Sequence, residues 1–187
     1  MCGRYTLHDT SKSRLNLNPS IVPNFNIHPS TRVLIINDQK KPIFIDWNFK
    51  PRWSRTLRIV NARSETINQK KAFQNSRRCV FVANGYYEWK CLHNKKIPYY
   101  HTFEDSMMYF AGIMNSDGAC IVTRPSYPGI ATVHHRQPVI LTYNSFDDWF
   151  QMTHNYESEN SEKMKIFKVS IAVNNPKNNS IKNLIPQ

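Results

Sequence analysis

The tightest constraint on the fold is the length of the apolar runs. Residues 33–36, 79–83, 107–114, 119–123 and 138–141 are each of strand length, and Asn, Gly, Pro or charged residues close them off. Residues 42–47, 98–103 and 167–173 read as further strands, and residues 37–40 and 104–106 as turns. Asn84-Gly85 reads as a hairpin turn. Two stretches carry a helical pattern. One follows Ser64 as N-cap, with Ile67, Ala72 and Phe73 on one face; the other follows Asn144 or Ser145, with Phe146, Trp149 and Phe150 as its stripe. Residues 7–29 read as a polar, proline-punctuated loop, and residues 151–165 as a polar loop or short helix. No apolar run approaches the ~20 residues that span a bilayer, and no signal-peptide pattern opens the chain, so a soluble intracellular protein is expected. Neither repeat nor linker divides it, and residues 1–187 read as one domain.

Charge narrows the partner. Lys and Arg number 25 against 13 Asp and Glu, a net charge of +12, which suits a polyanion. Nucleic acid is the first candidate. An anionic membrane is the second, weakened by the lack of a continuous basic amphipathic helix. Trp53 lies among Lys50, Arg52, Arg55 and Arg58, which reads equally as a surface loop with one anchoring Trp or as the mixture of ring and cation on which single-stranded nucleic acid stacks and neutralises its phosphates. Asn61 and Arg63 precede the first helical pattern, where backbone donors favour anions. Cys2, Cys79, Cys91 and Cys120 form no C-x-x-C pair, so the spacing indicates neither a zinc site nor a disulfide framework.

The opening Met1-Cys2-Gly3-Arg4-Tyr5 suggests chemistry. Removing Met1 leaves Cys2 with an α-amine and a thiol on adjacent carbons, a pair that condenses with one aldehyde carbon to a thiazolidine. Ordinary pKa values are about 7.7–8.0 for the amine and about 8.5 for the thiol, and Arg4 is expected to lower both. On these residues alone the simpler reading is a small buried cysteine that happens to follow Met1. In an extended segment, Tyr86 and Glu88 face one side and Tyr87 and Trp89 the other. A carboxylate hemmed by aromatics is suited to proton transfer. His134 and His135 precede Arg136 and a buried strand; an extended chain cannot turn both rings into one site.

In chain order, Met1-Cys2-Gly3-Arg4-Tyr5, Asn61-Ala62-Arg63-Ser64-Glu65-Thr66, Gly85-Tyr86-Tyr87-Glu88-Trp89, His134-His135-Arg136-Gln137-Pro138-Val139-Ile140-Leu141 and Val173-Asn174-Asn175-Pro176 resemble the SRAP (SOS response-associated peptidase) family. Bacterial and animal members of that family shield abasic sites in single-stranded DNA. The resemblance runs from Cys2 to Pro186. It implies an α+β fold with a distorted β-barrel core and peripheral helices around a basic groove. It implies loss of Met1 and capture by Cys2 of the ring-opened aldehyde of an abasic sugar. Asn61 would orient the N-terminal residue, Glu88 would shuttle protons, and His134 would assist ring opening. Arg4 and Arg63 would hold flanking phosphates, with Arg136 a further phosphate contact. Pro29, Trp47 and Trp53 would wedge or stack against bases beside the lesion.

The same resemblance implies a monomer without metal or cofactor, acting inside the cell on single-stranded DNA that contains abasic sites. It implies no membrane partner, and weak AP-lyase and self-processing peptidase activities. The family's Trp-Gly-Leu-Ile-Pro-x-Trp run is here Trp47-Asn48-Phe49-Lys50-Pro51-Arg52-Trp53, followed by a shortened loop to Asn61. Two rival readings stand beside this one. In the first, Cys2 is the N-terminal nucleophile of a peptidase or amidohydrolase; in the second, the chain is a non-covalent module for single-stranded DNA.

Overall fold

Antiparallel pairing organises the chain into two sheets. The computed structural model describes residues 2–15, 17, 21–54, 56–104, 106–152 and 163–187. In chain order the strands are β1 Arg4–Leu7, β2 Asn24–Ile27, β3 Arg32–Ile36, β4 Pro42–Asp46, β5 Asn61–Arg63, β6 Arg77–Ala83, β7 Gly85–Leu92, β8 Lys95–Thr102, β9 Met108–Asn115, β10 Gly118–Pro125, β11 Arg136–Pro138 and β12 Lys165–Lys168. Two short helices, α1 Pro128–Ala131 and α2 Phe146–Phe150, lie between β10 and β12. The five-stranded sheet has the order β12-β8-β7-β1-β2. The seven-stranded sheet runs β11-β10-β9-β6-β3-β4, with β5 added parallel to β10.

The main core holds Cys2, Tyr5, Trp47, Phe81, Tyr86 and Phe110, all wholly buried. Tyr5 packs against Trp47, Phe81 and Phe110, with ring centroids 5.3, 6.5 and 6.0 Å away. Burying such rings contributes roughly 1.5–3 kcal/mol each. A smaller cluster of Tyr87, Tyr100, Val169 and Val173 covers the other face of the five-stranded sheet.

The expected barrel with peripheral helices is not what forms. Both sheets are open, the chain is mostly β, and the helices span four and five residues. Two physical causes account for the difference. Asn84-Gly85 is not a hairpin: β6 and β7 belong to different sheets, so the chain crosses between layers there. Gly85 serves close approach at that crossing, since a Cβ would lie 2.4 Å from Tyr100 Oη and 2.6 Å from the His101 carbonyl oxygen. The stretch after Ser64 stays in turns and ends in a 3₁₀ segment, Lys71–Phe73, although Ile67 and Phe73 are buried as the pattern requires. Pairing of β5 with β10 draws Ser64 N–H onto the Thr123 carbonyl, so Ser64 continues a ladder instead of capping a helix.

The other local readings fare unevenly. The helix at Phe146–Phe150 is present and anchored by Trp149, whose Nε1–H donates to the Cys79 carbonyl at 2.9 Å. The last strand lies earlier than residues 167–173 suggest: Ser170 Oγ accepts from Ala172 N–H and opens a 3₁₀ segment, Ile171–Asn174, instead. The supposed loop of residues 7–29 contains β2. Residues 153–162, read as loop or short helix, lie outside the described residues. Among the described residues no helix is long and apolar enough to cross a membrane.

Candidate active site

Four segments distant in sequence converge at the N-terminus. Cys2 precedes β1, Asn61 opens β5, Glu88 lies on β7, and His134 stands two residues before β11. Asn61 Nδ2 donates to the Cys2 carbonyl at 2.9 Å. Asn61 Oδ1, buried beside it, has no partner among the described residues. Glu88 Oε2 lies 3.9 Å from His134 Nδ1. Burial pushes the Cys2 thiol well up; the Glu88 charge adds to this, and a backbone N–H from Arg4 opposes it.

The alternation expected of β7 holds and explains the company Glu88 keeps. Tyr86 enters the main core, while Tyr87 enters the cluster on the other face. The antiparallel register sets Tyr5 opposite Tyr86, and Tyr86 opposite His101. Tyr86 and His101 stack at 4.4 Å. Glu88 is 4 % exposed.

His134 is held by the backbone of Arg136. Its Nδ1 accepts from Arg136 N–H at 3.0 Å and lies 3.1 Å from the Arg136 carbonyl. Burial lowers its pKa, with the Glu88 charge opposing, so the neutral imidazole is favoured. The chain bends at His135 rather than running extended, which lets the two imidazoles stack at 4.3 Å.

Two of the expected contacts are buried, and a third, Arg4, is half-buried with its guanidinium bonded to the fold. Trp47 is 0 % exposed, with Nε1–H on the Val60 carbonyl at 2.8 Å, so it is a core ring and cannot stack on a base. Arg136 is 6 % exposed. Its guanidinium grips both carboxylate oxygens of Glu65 and donates to the Thr123 carbonyl at 2.7 Å. That pairing holds the Glu65 carboxyl at about 2 and spends the cation on the fold rather than on phosphate. Arg4 stands in register with Tyr87, on the face opposite Glu88. It donates to Asn26 Oδ1 at 2.7 Å and to the Val173 carbonyl at 2.9 Å, and lies 6.0 Å over Trp89. Arg4 therefore acts on the Cys2 thiol through its backbone N–H, while its guanidinium is engaged elsewhere.

The remaining contacts face outward. Arg63 shares the Asn61 side of β5, because Ala62 between them turns into the core, and it is exposed. Trp53 is 60 % exposed. Pro29 is half-buried in a turn where Ser30 takes φ 66° and donates its N–H to the Trp47 carbonyl at 2.9 Å.

Glu65 and Thr123 had no role assigned from sequence. Glu65 sits in the Asn61–Thr66 motif, and an acid inside a motif of a basic chain was the available signal. Thr123 marked only a strand end; its position opposite Arg63 across β10 and β5 comes from the sheet. Among the described residues, no group of three or more His, Cys, Asp or Glu side chains could hold a metal ion.

Buried Cys2 thus has the Asn61 amide on its carbonyl and the Glu88 carboxylate near enough to act on its thiol, with the His134 imidazole beside Glu88. The chain belongs to the SOS response-associated peptidase (SRAP) family, whose sequence model matches residues 1–176. It is 30 % identical to the abasic site processing protein YoaM of Bacillus subtilis (strain 168), over 96 % of each chain. It is 31 % identical to the abasic site processing protein YoqW of Bacillus phage SPbeta, over 96 % of this chain and 97 % of that one. Among solved structures, a protein from Bacteroides thetaiotaomicron superposes with a TM-score of 0.81 over 100 % of both chains at 20 % identity, a likeness of fold. A phage-related protein from Bordetella bronchiseptica gives 0.72 at 25 % identity, over 90 % of this chain and 94 % of that one.

Proposed function

We propose that this protein captures abasic sites in single-stranded DNA, closing a thiazolidine between the freed Cys2 and the sugar aldehyde and so shielding the lesion. The observation that carries the reading is the convergence of Asn61 and Glu88 on Cys2, with His134 beside Glu88. Relatives of similar length are named abasic site processing proteins, which supports the substrate class.

The chemistry starts from a closed sugar ring. The Glu88–His134 pair delivers a proton to the ring oxygen and removes one from the anomeric hydroxyl, releasing the aldehyde. Asn61 holds the Cys2 backbone so that the α-amine meets the carbonyl carbon. Amine addition and loss of one water give an imine. The thiol then gives its proton to the Glu88–His134 pair as sulfur adds to the same carbon, and the imine nitrogen takes a proton. The product retains a C–N and a C–S bond to the former aldehyde carbon, and one water is lost overall. A buried thiol is held protonated at rest; a cationic iminium beside it reverses that preference and times the attack.

Arg63 and Trp53 hold the strand by phosphate and base without reading sequence. Loss of Met1 by a peptidase-like self-cleavage, and weak strand scission by β-elimination from the imine, belong to the same reading. So do a single domain over residues 1–187, action as a monomer, and residence with DNA inside the cell.

Intact mass and denaturing gels test the reading. An abasic oligonucleotide should shift the protein to a species that survives boiling in detergent, with Met1 absent from the reactive form. Cys2→Ala should abolish that species, and Cys2→Ser should not restore it. An equally abundant adduct with Cys2→Ala removes the nucleophile assignment.

A further inference from the structure

The face of the five-stranded sheet that carries Glu88 does not stop at the reaction centre. Antiparallel register sets residues side by side across β7, β8 and β12 in successive rows. The inner row is Tyr86, His101 and Ile166; the next is Glu88, Tyr99 and Lys168; further out come Lys90 with Ile97 and Leu92 with Lys95. Leu92 lies four residues beyond Glu88, about 13 Å at the rise of an extended strand. The opposite face is covered by Val169 and Val173, which pack on Tyr87 and Tyr100. On the Glu88 face, Tyr99, Ile97 and Lys90 are half-buried, while Leu92, Lys95 and Lys168 are exposed.

The chemistry of these rows is uneven in a useful way. Glu88 is the single acid in them, and beyond it come three lysines, one aromatic ring and two aliphatic side chains. Among the described residues, Lys90, Lys95 and Lys168 form no ion pair. With no carboxylate in ion-pair reach among the described residues, their charges are available to a phosphate. A ring flanked by cations matches a strand with bases on one side and phosphates on the other.

We infer that this outward face is a second contact surface for the same DNA strand: a ledge on which nucleotides flanking the lesion lie. A base stacks on Tyr99, the apolar surfaces of Ile97 and Leu92 support it, and Lys90, Lys95 and Lys168 take phosphates. The inference rests on the proposed capture of abasic single strands, and it adds a polarity to it. The strand is gripped along one direction from the lesion, so extension on that side matters more than on the other.

The test uses the full chain and two variants, the triple Lys90→Ser/Lys95→Ser/Lys168→Ser and Tyr99→Leu, which keeps an apolar side chain at that position. Fluorescence anisotropy with undamaged single strands reads the ledge independently of any covalent step. The triple variant should lower the slope of log affinity against log salt by about 2, at roughly 0.7 for each phosphate no longer neutralised. Tyr99→Leu should weaken binding about fivefold to tenfold. Crosslinking rates are then compared for abasic strands extended on the 5′ side only and on the 3′ side only. Both variants should be slowed with one of these strands and match the wild type with the other. Unchanged affinity and salt slope, or equal losses with both strands, would overturn the ledge. Failure of the wild type to crosslink would sink the Cys2 reading instead, while the anisotropy still decides the ledge.

Discussion

Two regions, one around Arg136 and one around Arg63 and Trp53, both carry an arginine from a sequence motif and behave in opposite ways. On one side Arg136 is buried against Glu65 and Thr123, and its backbone holds His134 Nδ1. On the other, Arg63 and Trp53 reach into solvent. Both arginines lie in motifs that suggest phosphate contact, yet their partners decide their work. A guanidinium with a carboxylate already in its fork is part of the scaffold; one without is available to a polyanion. The paired side should therefore answer mutation in stability and in the placement of His134, and the open side in DNA affinity alone.

The largest expected effect lies on the paired side. Glu65→Ala leaves the Arg136 cation buried without its carboxylate. A fully buried broken pair costs about 3–5 kcal/mol, and the half-exposed Glu65 end reduces this to about 2–3 kcal/mol. Urea denaturation should show that loss, and crosslinking should slow as His134 loses its backbone frame. Arg136→Met, which removes the buried charge as well, should be less destabilising than Glu65→Ala. A neutral result for Glu65→Ala would erase the distinction between the two sides.

The next effect is a pH dependence carried by His101. Burial lowers its pKa to about 4 from the ordinary 6.5. Between those values the unfolded chain binds a proton that the folded chain refuses, so stability is lost as pH falls from about 6.5 toward 4. At pH 5 the loss is about 2 kcal/mol relative to neutral pH. His101→Phe, which keeps a ring stacked on Tyr86, should remove this part of the acid lability. Urea midpoints of both proteins at pH 7 and pH 5 read it directly; identical shifts would show that the ring titrates normally.

The smallest stability effect belongs to the open side. Trp53→Ala and Arg63→Ala should each leave stability within about 0.5 kcal/mol of the wild type. Trp53→Ala should weaken single-strand binding by about 1–2 kcal/mol, as loss of one stacking partner does. Arg63→Ala should weaken all sequences alike and lower the salt slope by about 0.7. A stability loss as large as that of Glu65→Ala would place these residues with the scaffold.

Much of the site could be read without coordinates, and the reasons are local. A strand of period two sends Tyr86 and Glu88 one way and Tyr87 the other, and the sheet obeys this. Apolar runs of strand length became β3, β6, β9 and β10 near their expected positions. Motif order singled out Cys2, Asn61, Glu88 and His134, and the fold brings Asn61 to Cys2 and His134 to Glu88. The misreadings share a different cause. Trp47 looked like a wedge and is a core ring; Gly85 looked like a turn residue and marks a layer crossing; Ser64 looked like a helix cap and extends a ladder. In each case the deciding neighbour is remote in sequence.

Residue types and their alternation were enough to say which segments would be extended and that the chain is strongly basic, and the order of its motifs placed it in its family. Tertiary structure alone decided which cations remain available. Ion pairing and burial depend on what a side chain meets across the sheet, and for Arg136 that partner lies 71 residues away at Glu65. Charge is a property of the residue, but its availability is a property of the contact, and contacts this distant exist only once the two sheets have closed over their shared core.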